Sequence, residues 1–265
     1  MIKRTFGAAA IIALVAAAAW WVTYQRRQSG ADVLPVASSG DHKWLDGLYS
    51  RNPREVQAAT QELMKQGAAA LPAIQAALRD PRSEAERLKG ALKACALLGK
   101  TAAPAVDDVA AVLTEEGLTT EAAIALSHMG PDALEPLREG LWNDDPIVRR
   151  ESLRSIGKLK ERAPLSAAAV TPLLIQSMKD ADGSIRAVAA TYLGIIQGAP
   201  ETSVPPLTAA LSDENPEVRR EAATALGAFG PAAASSVPAL RKAAGDRNED
   251  VAREAGRALL KVQQK

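Results

Sequence analysis

Six short segments of this chain repeat one phrase, in which an apolar residue is followed three positions later by another, with proline between them. They are Leu71-Pro72-Ala73-Ile74, Ala103-Pro104-Ala105-Val106, Leu134-Glu135-Pro136-Leu137, Val170-Thr171-Pro172-Leu173, Val204-Pro205-Pro206-Leu207 and Val237-Pro238-Ala239-Leu240. Their first residues stand 32, 31, 36, 34 and 33 positions apart. A period of this length belongs to stacked helical pairs. One pair buries little apolar surface alone, so neighbours along the stack must supply the core.

A second phrase interleaves with the first, and its clearest copy runs from Asp213 to Gly227. Val218, Ala222, Ala225, Leu226 and Phe229 fall at offsets 0, 4, 7, 8 and 11, which trace one face of an α-helix. Asp213 to Pro216 supply the turn and cap before that helix, and Gly230-Pro231 closes it. The proline phrase then opens the partner helix, where a missing N–H costs little in the first turn. The pairs Val148-Arg149, Ile185-Arg186 and Val218-Arg219 mark successive copies, with a looser one at Val251. Leu118, Ala122, Ala125, Leu126 and Met129 repeat the offsets before Gly130-Pro131, and copies near Val56 and Leu88 are degenerate. About six helix pairs are expected from Trp44 to Lys265, with half-repeats at the ends. Period-two alternation is not sustained, so strands are not expected.

The run Asn215-Pro216-Glu217-Val218-Arg219, its counterpart Asp145-Pro146-Ile147-Val148-Arg149, and the alanine-rich helix ending in Leu226-Gly227 resemble the HEAT-repeat family in its bacterial phycobilisome-lyase-like variety. The resemblance covers roughly residues 41–265 and is strongest in the last three repeats. It implies an all-α, HEAT-type α-solenoid: a right-handed superhelix of antiparallel helix pairs. The valine-arginine helices would line the concave face and the proline-led helices the outer face. It also implies a structural ladder between repeats, joining Arg149, Arg186 and Arg219 to the positions of Asn143, Asp180 and Asp213.

Only two phenylalanines and three tyrosines are present, so the core must be thin and alanine-rich. Residues 41–141 carry 11 basic and 15 acidic residues, and residues 142–265 carry 17 and 15. Neither balance is the footprint of a nucleic-acid binder.

Ahead of the repeats, Lys3 and Arg4 precede an uncharged run from Phe6 to Tyr24, followed by Arg26 and Arg27. A helix of this length spans roughly 28 Å, close to the hydrocarbon thickness of a bilayer. Trp20, Trp21 and Tyr24 gather at one end, where aromatic rings favour the headgroup level. Residues 1–27 are therefore expected to form an N-terminal transmembrane helix. A cleaved signal peptide, cut after Ala17-Ala18-Ala19, is the alternative. Residues 28–40 read as a flexible linker and residues 41–265 as the solenoid. The expected location is the inner membrane, single-pass, with the repeats periplasmic, or the periplasm after cleavage.

No catalytic constellation stands out. The single cysteine, Cys95, falls level with Leu126 and Leu226 and reads as a core residue. His42 and His128 have no metal-ligand spacing, and the P-loop, GxSxG and dinucleotide fingerprints are absent. Deoxyhypusine hydroxylase, an iron enzyme of similar repeats, uses histidine-glutamate pairs that this chain lacks. The glycines read as helix caps. What remains is a mixed, mildly basic strip at the repeat period: Arg150, Glu151, Arg154, Arg220, Glu221, Arg253 and Arg257, with Lys158 and Lys261. These residues are the candidate partner-binding site.

The expectation is a non-enzymatic, membrane-tethered scaffold for a protein partner in the bacterial envelope, without cofactor, metal, nucleic acid or small-molecule substrate. The alternative is an accessory or lyase-like protein acting on a chromophore or another enzyme.

Overall fold

The computed structural model describes residues 42–264. The anchor or signal peptide at 1–27, with its span at 6–24, and the linker at 28–40 lie outside them. Among the described residues no helix is long and apolar enough to cross a membrane. The described chain is helical and turn structure only, and it falls into two compact units meeting at Ala91 and Leu92.

The first unit contains α1 (Lys43–Leu48), α2 (Pro53–Gln66), α3 (Leu71–Arg79) and the start of α4 (Ala85–Leu98), with a 3-10 turn at Gly67–Ala70. Asn52 caps α2 by accepting the Arg54 N–H at 3.1 Å. Leu45, Leu48, Leu63, Ile74 and Leu78 are buried and form the core. Gly90 admits the α1 backbone, since a Cβ there would stand 1.9 Å from the Leu45 carbonyl oxygen. Arg87 spans the same contact with a two-pronged pair to Asp46, both bonds 2.9 Å.

The second unit takes up the remaining helices: α5 (Val106–Ala111), α6 (Thr119–Leu126), α7 (Leu134–Gly140), α8 (Pro146–Arg162), α9 (Ala167–Ser177), α10 (Gly183–Ile196), α11 (Pro200–Ala210), α12 (Pro216–Phe229), α13 (Val237–Ala243) and α14 (Glu249–Val262). They form two rows. In one, α6, α8, α10, α12 and α14 pack side by side, each on the next. In the other stand α5, α7, α9, α11 and α13, which pack on the first row and touch each other only lightly. The first row holds the valine-arginine helices and is called the inner row, after the face the resemblance implies for them. The expected apolar face is buried throughout: Val148, Ile185, Val218 and Val251 anchor it, and Ala222, Ala225, Leu226 and Phe229 continue it.

Four of the five inner helices, α8, α10, α12 and α14, begin with a side-chain cap, as the turn chemistry predicts, whereas α6 follows Leu118 and has none. Asp145, Asp182, Asn215 and Asn248 accept the N–H two residues on, at 2.8, 2.7, 2.8 and 3.0 Å. Such a cap stabilises a helix by about 1 kcal/mol.

Two expectations are corrected. The proline phrase opens α3 and α13, but Pro172 sits inside α9, and Pro205 and Pro206 inside α11. Those two helices start a turn earlier, at the Ser166 cap and at Pro200. In other repeats 3-10 turns occupy that lead-in, as at Gly67–Ala70 and Gly230–Ser236. Second, the glycines are not all caps. Gly67, Gly99, Gly130 and Gly230 do hold positive φ at helix ends. Gly157, Gly194 and Gly227 instead lie within inner helices at the crossing with the next. A Cβ on Gly194 would come within 2.7 Å of the Ala225 Cα, and one on Gly227 within 3.1 Å of the Ala258 Cα. On Gly157 it would strike the Tyr192 ring at 2.2 Å.

Candidate docking surface

A ladder of arginines runs along one end of the inner row. The Arg149 guanidinium donates to both Asp180 carboxylate oxygens at 2.9 and 3.0 Å, and to the carbonyls of Asn143 and Asp144 at 2.9 Å each. Arg186 repeats this with Asp213, at 2.8 Å for both bonds, and with the carbonyls of Asp180 and Ala181. Arg219 does so with Asp246, at 2.7 and 2.9 Å, and with the carbonyls of Asp213 and Glu214. Each aspartate also accepts the N–H two residues on, from Asp182, Asn215 and Asn248. Every rung thus ties one repeat to the loop of the next.

Burial alone would raise the Asp180 and Asp213 carboxyls, but the arginine bonds and backbone N–H groups outweigh it and hold both below the usual carboxylate range. The Arg219 bond does the same for Asp246. The ladder stops where the sequence stops supplying arginine: Thr119 holds its position in α6 and Ala252 in α14. These arginines are occupied with structure, as the resemblance implied.

The candidate strip lies beside the ladder on α8, α12 and α14, and most of its charge is satisfied locally. Glu151 is buried, 7% exposed, and holds Arg150 at 3.2 Å and Arg154 at 3.4 Å. Glu221 takes Arg220 at 2.6 Å and the Thr191 hydroxyl at 3.1 Å. Glu254 takes Arg257 at 2.7 Å and Arg253 at 3.6 Å, and Arg253 also pairs with Asp250. The strip is a run of arginine-carboxylate pairs in which five arginines and two lysines stand against three glutamates, so its excess charge stays positive.

The strip is also interrupted. Counted from Val148, Ile185, Val218 and Val251, the next two groove positions read Arg150-Glu151, Ala187-Val188, Arg220-Glu221 and Arg253-Glu254. One turn on stand Arg154, Thr191, Thr224 and Arg257, and a further turn on Lys158, Ile195, Ala228 and Lys261. The α10 copy has lost its charges. At this place lies a depression of about 250 Å³, lined on α10 by Ala187, Val188, Thr191, Tyr192 and Ile195, on α8 by Arg154 and Glu161, and on α12 by Glu217 and Glu221. Ile195 is 51% exposed. The Tyr192 ring lies over Gly157, and its hydroxyl is pushed up by burial and by the Glu161 carboxylate. The strip reading missed Val188, Tyr192, Ile195, Glu161 and Glu217. Register alignment of the four inner helices would have found the first three.

Chemistry elsewhere is sparse. Cys95 is fully buried, and burial beside Asp108 pushes its thiol up to about 12, so it is an inert core residue. Burial and the charges of Arg162 and Lys158 lower His128. No cluster among the described residues groups three metal-ligating side chains.

Comparison with known proteins agrees with this architecture. Residues 170–261 match the family model of HEAT repeats. No curated protein sequence matches the chain. Among solved structures, an engineered protein from the Northeast Structural Genomics Consortium is 22% identical, covers 85% of this chain and 69% of its own, and has a TM-score of 0.50, a likeness of fold. A computationally designed armadillo repeat protein for modular peptide recognition is 20% identical over 83% of this chain and 98% of its own, with a TM-score of 0.44. Human deoxyhypusine hydroxylase in complex with glycerol is 19% identical over 92% and 98%, with a TM-score of 0.40.

Proposed function

We propose that this chain is a non-enzymatic scaffold that binds another protein along the inner row of its repeats, held at the inner membrane of a bacterial envelope through residues 6–24. The observation that carries the reading is the inner row itself. Its helices pack without a break from α6 to α14, and from α8 onward the ladder ties each repeat to the next through two-pronged, largely enclosed ion pairs. Stacks of this kind present one extended face to a partner. Arg150, Arg154, Arg220, Arg253 and Arg257 lie on that face, held in place by their carboxylates. The apolar run from Phe6 to Tyr24, with its aromatic edge, supports the tether and a periplasmic repeat domain. Within the repeat class we place the chain in the phycobilisome-lyase-like bacterial variety, as a relative in repeat architecture and not in chromophore chemistry. A visible absorbance band on the purified chain would reverse that placement in favour of the lyase-like alternative.

The full chain is expected to sediment with membranes and to resist extraction by salt and alkali. Mature protein beginning near Trp20 would replace the anchor with a cleaved signal. Photocrosslinkers placed at Arg154 and Arg257 should capture a specific membrane or periplasmic protein in cells. Capture only from positions on α9 and α11 would move the interface to the outer row and defeat the proposal.

A further inference from the structure

The uncharged copy of the strip on α10 has a consequence for partner chemistry. We infer that the depression over Val188, Thr191, Tyr192 and Ile195 is the anchor point of the inner face, and that it takes an apolar side chain of a partner peptide flanked by lysine or arginine. This rests on the scaffold reading above and adds the place and the kind of segment bound.

Three observations carry it. First, position in the repeat. At the register where α8, α12 and α14 place Glu151, Glu221 and Glu254, α10 places Val188, and where α8 and α14 place Lys158 and Lys261, it places Ile195. Ile195, at a position charged in neighbouring helices, is 51% exposed and Val188 is half-buried, so part of each side chain is presented outside the core. Second, shape. The depression, about 250 Å³, lies at this helix, and Tyr192 lying over Gly157 forms part of its lining. An apolar side chain can settle into such a recess, whereas the flanking helices present paired ions.

Third, charge. Three carboxylates, Glu161, Glu217 and Glu221, and the guanidinium of Arg154 line the depression; Arg220 already holds Glu221 at 2.6 Å and Glu151 holds Arg154 at 3.4 Å, which leaves Glu161 and Glu217 to set the charge of the rim. Glu217 stands 3.8 Å from Arg220, a loose pair in which the carboxylate side chain is 55% exposed. The rim is therefore complementary to a cation and unfavourable to an acidic segment. An apolar anchor with a basic neighbour satisfies floor and rim together, and an acidic or wholly polar peptide satisfies neither.

A library of random twelve-residue peptides displayed on phage and selected against the detergent-solubilised full chain tests this. Enriched sequences should carry an aliphatic or aromatic residue within a few positions of lysine or arginine. Ile195→Glu should weaken a selected synthetic peptide about tenfold or more, since it removes apolar contact and places a charge on the floor. Glu161→Lys with Glu217→Lys should weaken it further and flatten its salt dependence. Both changes fall on exposed side chains, and an unchanged circular dichroism melt would confirm that the fold is kept. Selected peptides that are acidic, or that bind Ile195→Glu as well as the parent, overturn the anchor while leaving the scaffold reading intact. Self-association of the full chain that Ile195→Glu abolishes would make the occupant a second copy and overturn the peptide assignment. Failure to enrich any sequence above the unselected library also overturns it, and crosslinking from Arg154 and Arg257 then tests the scaffold reading separately.

Discussion

Arg219 is the most enclosed charge of the ladder, with its side chain 8% exposed and that of Asp246 12%. Its guanidinium satisfies two carboxylate oxygens and two carbonyls at once, which a lysine could not do with the same planar geometry. Truncation leaves Asp246 charged, enclosed and without its cation. Arg219→Ala is therefore expected to destabilise the chain by about 3–5 kcal/mol, read as a lowered urea midpoint. An unchanged midpoint together with lost partner capture would make Arg219 a ligand contact instead. Gln197 provides the opposite case. It closes α10 at φ 50° and ψ 29°, a left-handed conformation that glycine adopts without strain. Gln197→Gly should raise stability by about 1 kcal/mol in the same assay.

Among the elements, the inner helices show packing overriding propensity. Glycine within a helix costs about 1 kcal/mol relative to alanine, so a propensity argument favours replacing each one. Gly194 and Gly256 separate the two effects. A Cβ at Gly194 meets the Ala225 backbone at 2.7 Å, whereas one at Gly256 in α14 meets nothing within 4 Å. Gly194→Ala should therefore destabilise by about 1–3 kcal/mol through overpacking, while Gly256→Ala should stabilise by up to about 1 kcal/mol. Chemical denaturation of the two variants beside the parent decides it, and equal shifts of one sign would refute the packing argument. The same close approach explains the alanine-rich composition. Ala222, Ala225 and Ala258 are buried at helix-helix contacts, where larger side chains would push the rows apart.

For the molecule as a whole, the ladder aspartates set how stability responds to acid. Asp180, Asp213 and Asp246 all have carboxyls held below their ordinary value in the folded state. A depressed folded value means that their contribution is present in full above the unfolded value, near pH 4. It is lost as pH falls through the folded values. Urea midpoints should fall only slightly from pH 7 to about 5, where protonation of His128 in the unfolded chain costs some stability, and should drop steeply below about 4. Because the aspartate side chains are only 12–13% exposed, added salt should move this drop little. Asp180→Asn should blunt it, since one of the titrating carboxyls is then gone. A midpoint that stays constant down to pH 3 would show that the ladder does not couple to folding.

The family resemblance implied the ladder, whereas the sequence by itself determined the repeat, the helix faces and the caps. All of these depend on residues at fixed spacing along one chain, and α-helical geometry converts that spacing directly into position. Val148, Ile185, Val218 and Val251 could be placed in the core, and Cys95 among them, without coordinates. The start of α9 and α11 ahead of their prolines could not, because several lead-ins tolerate the same proline and packing selects between them. Nor could the roles of Gly157, Gly194 and Gly227, which depend on how closely a second helix passes. The local pairing within the strip was not legible either. Arg150 and Arg154 share the single carboxylate of Glu151 once the helix folds back on its own turn, an arrangement that leaves one positive charge over. The depression on α10 needs three helices to exist. Its floor is written at Val188 and Ile195, but its rim comes from Glu161 and Glu217, 56 positions apart and brought together only by stacking.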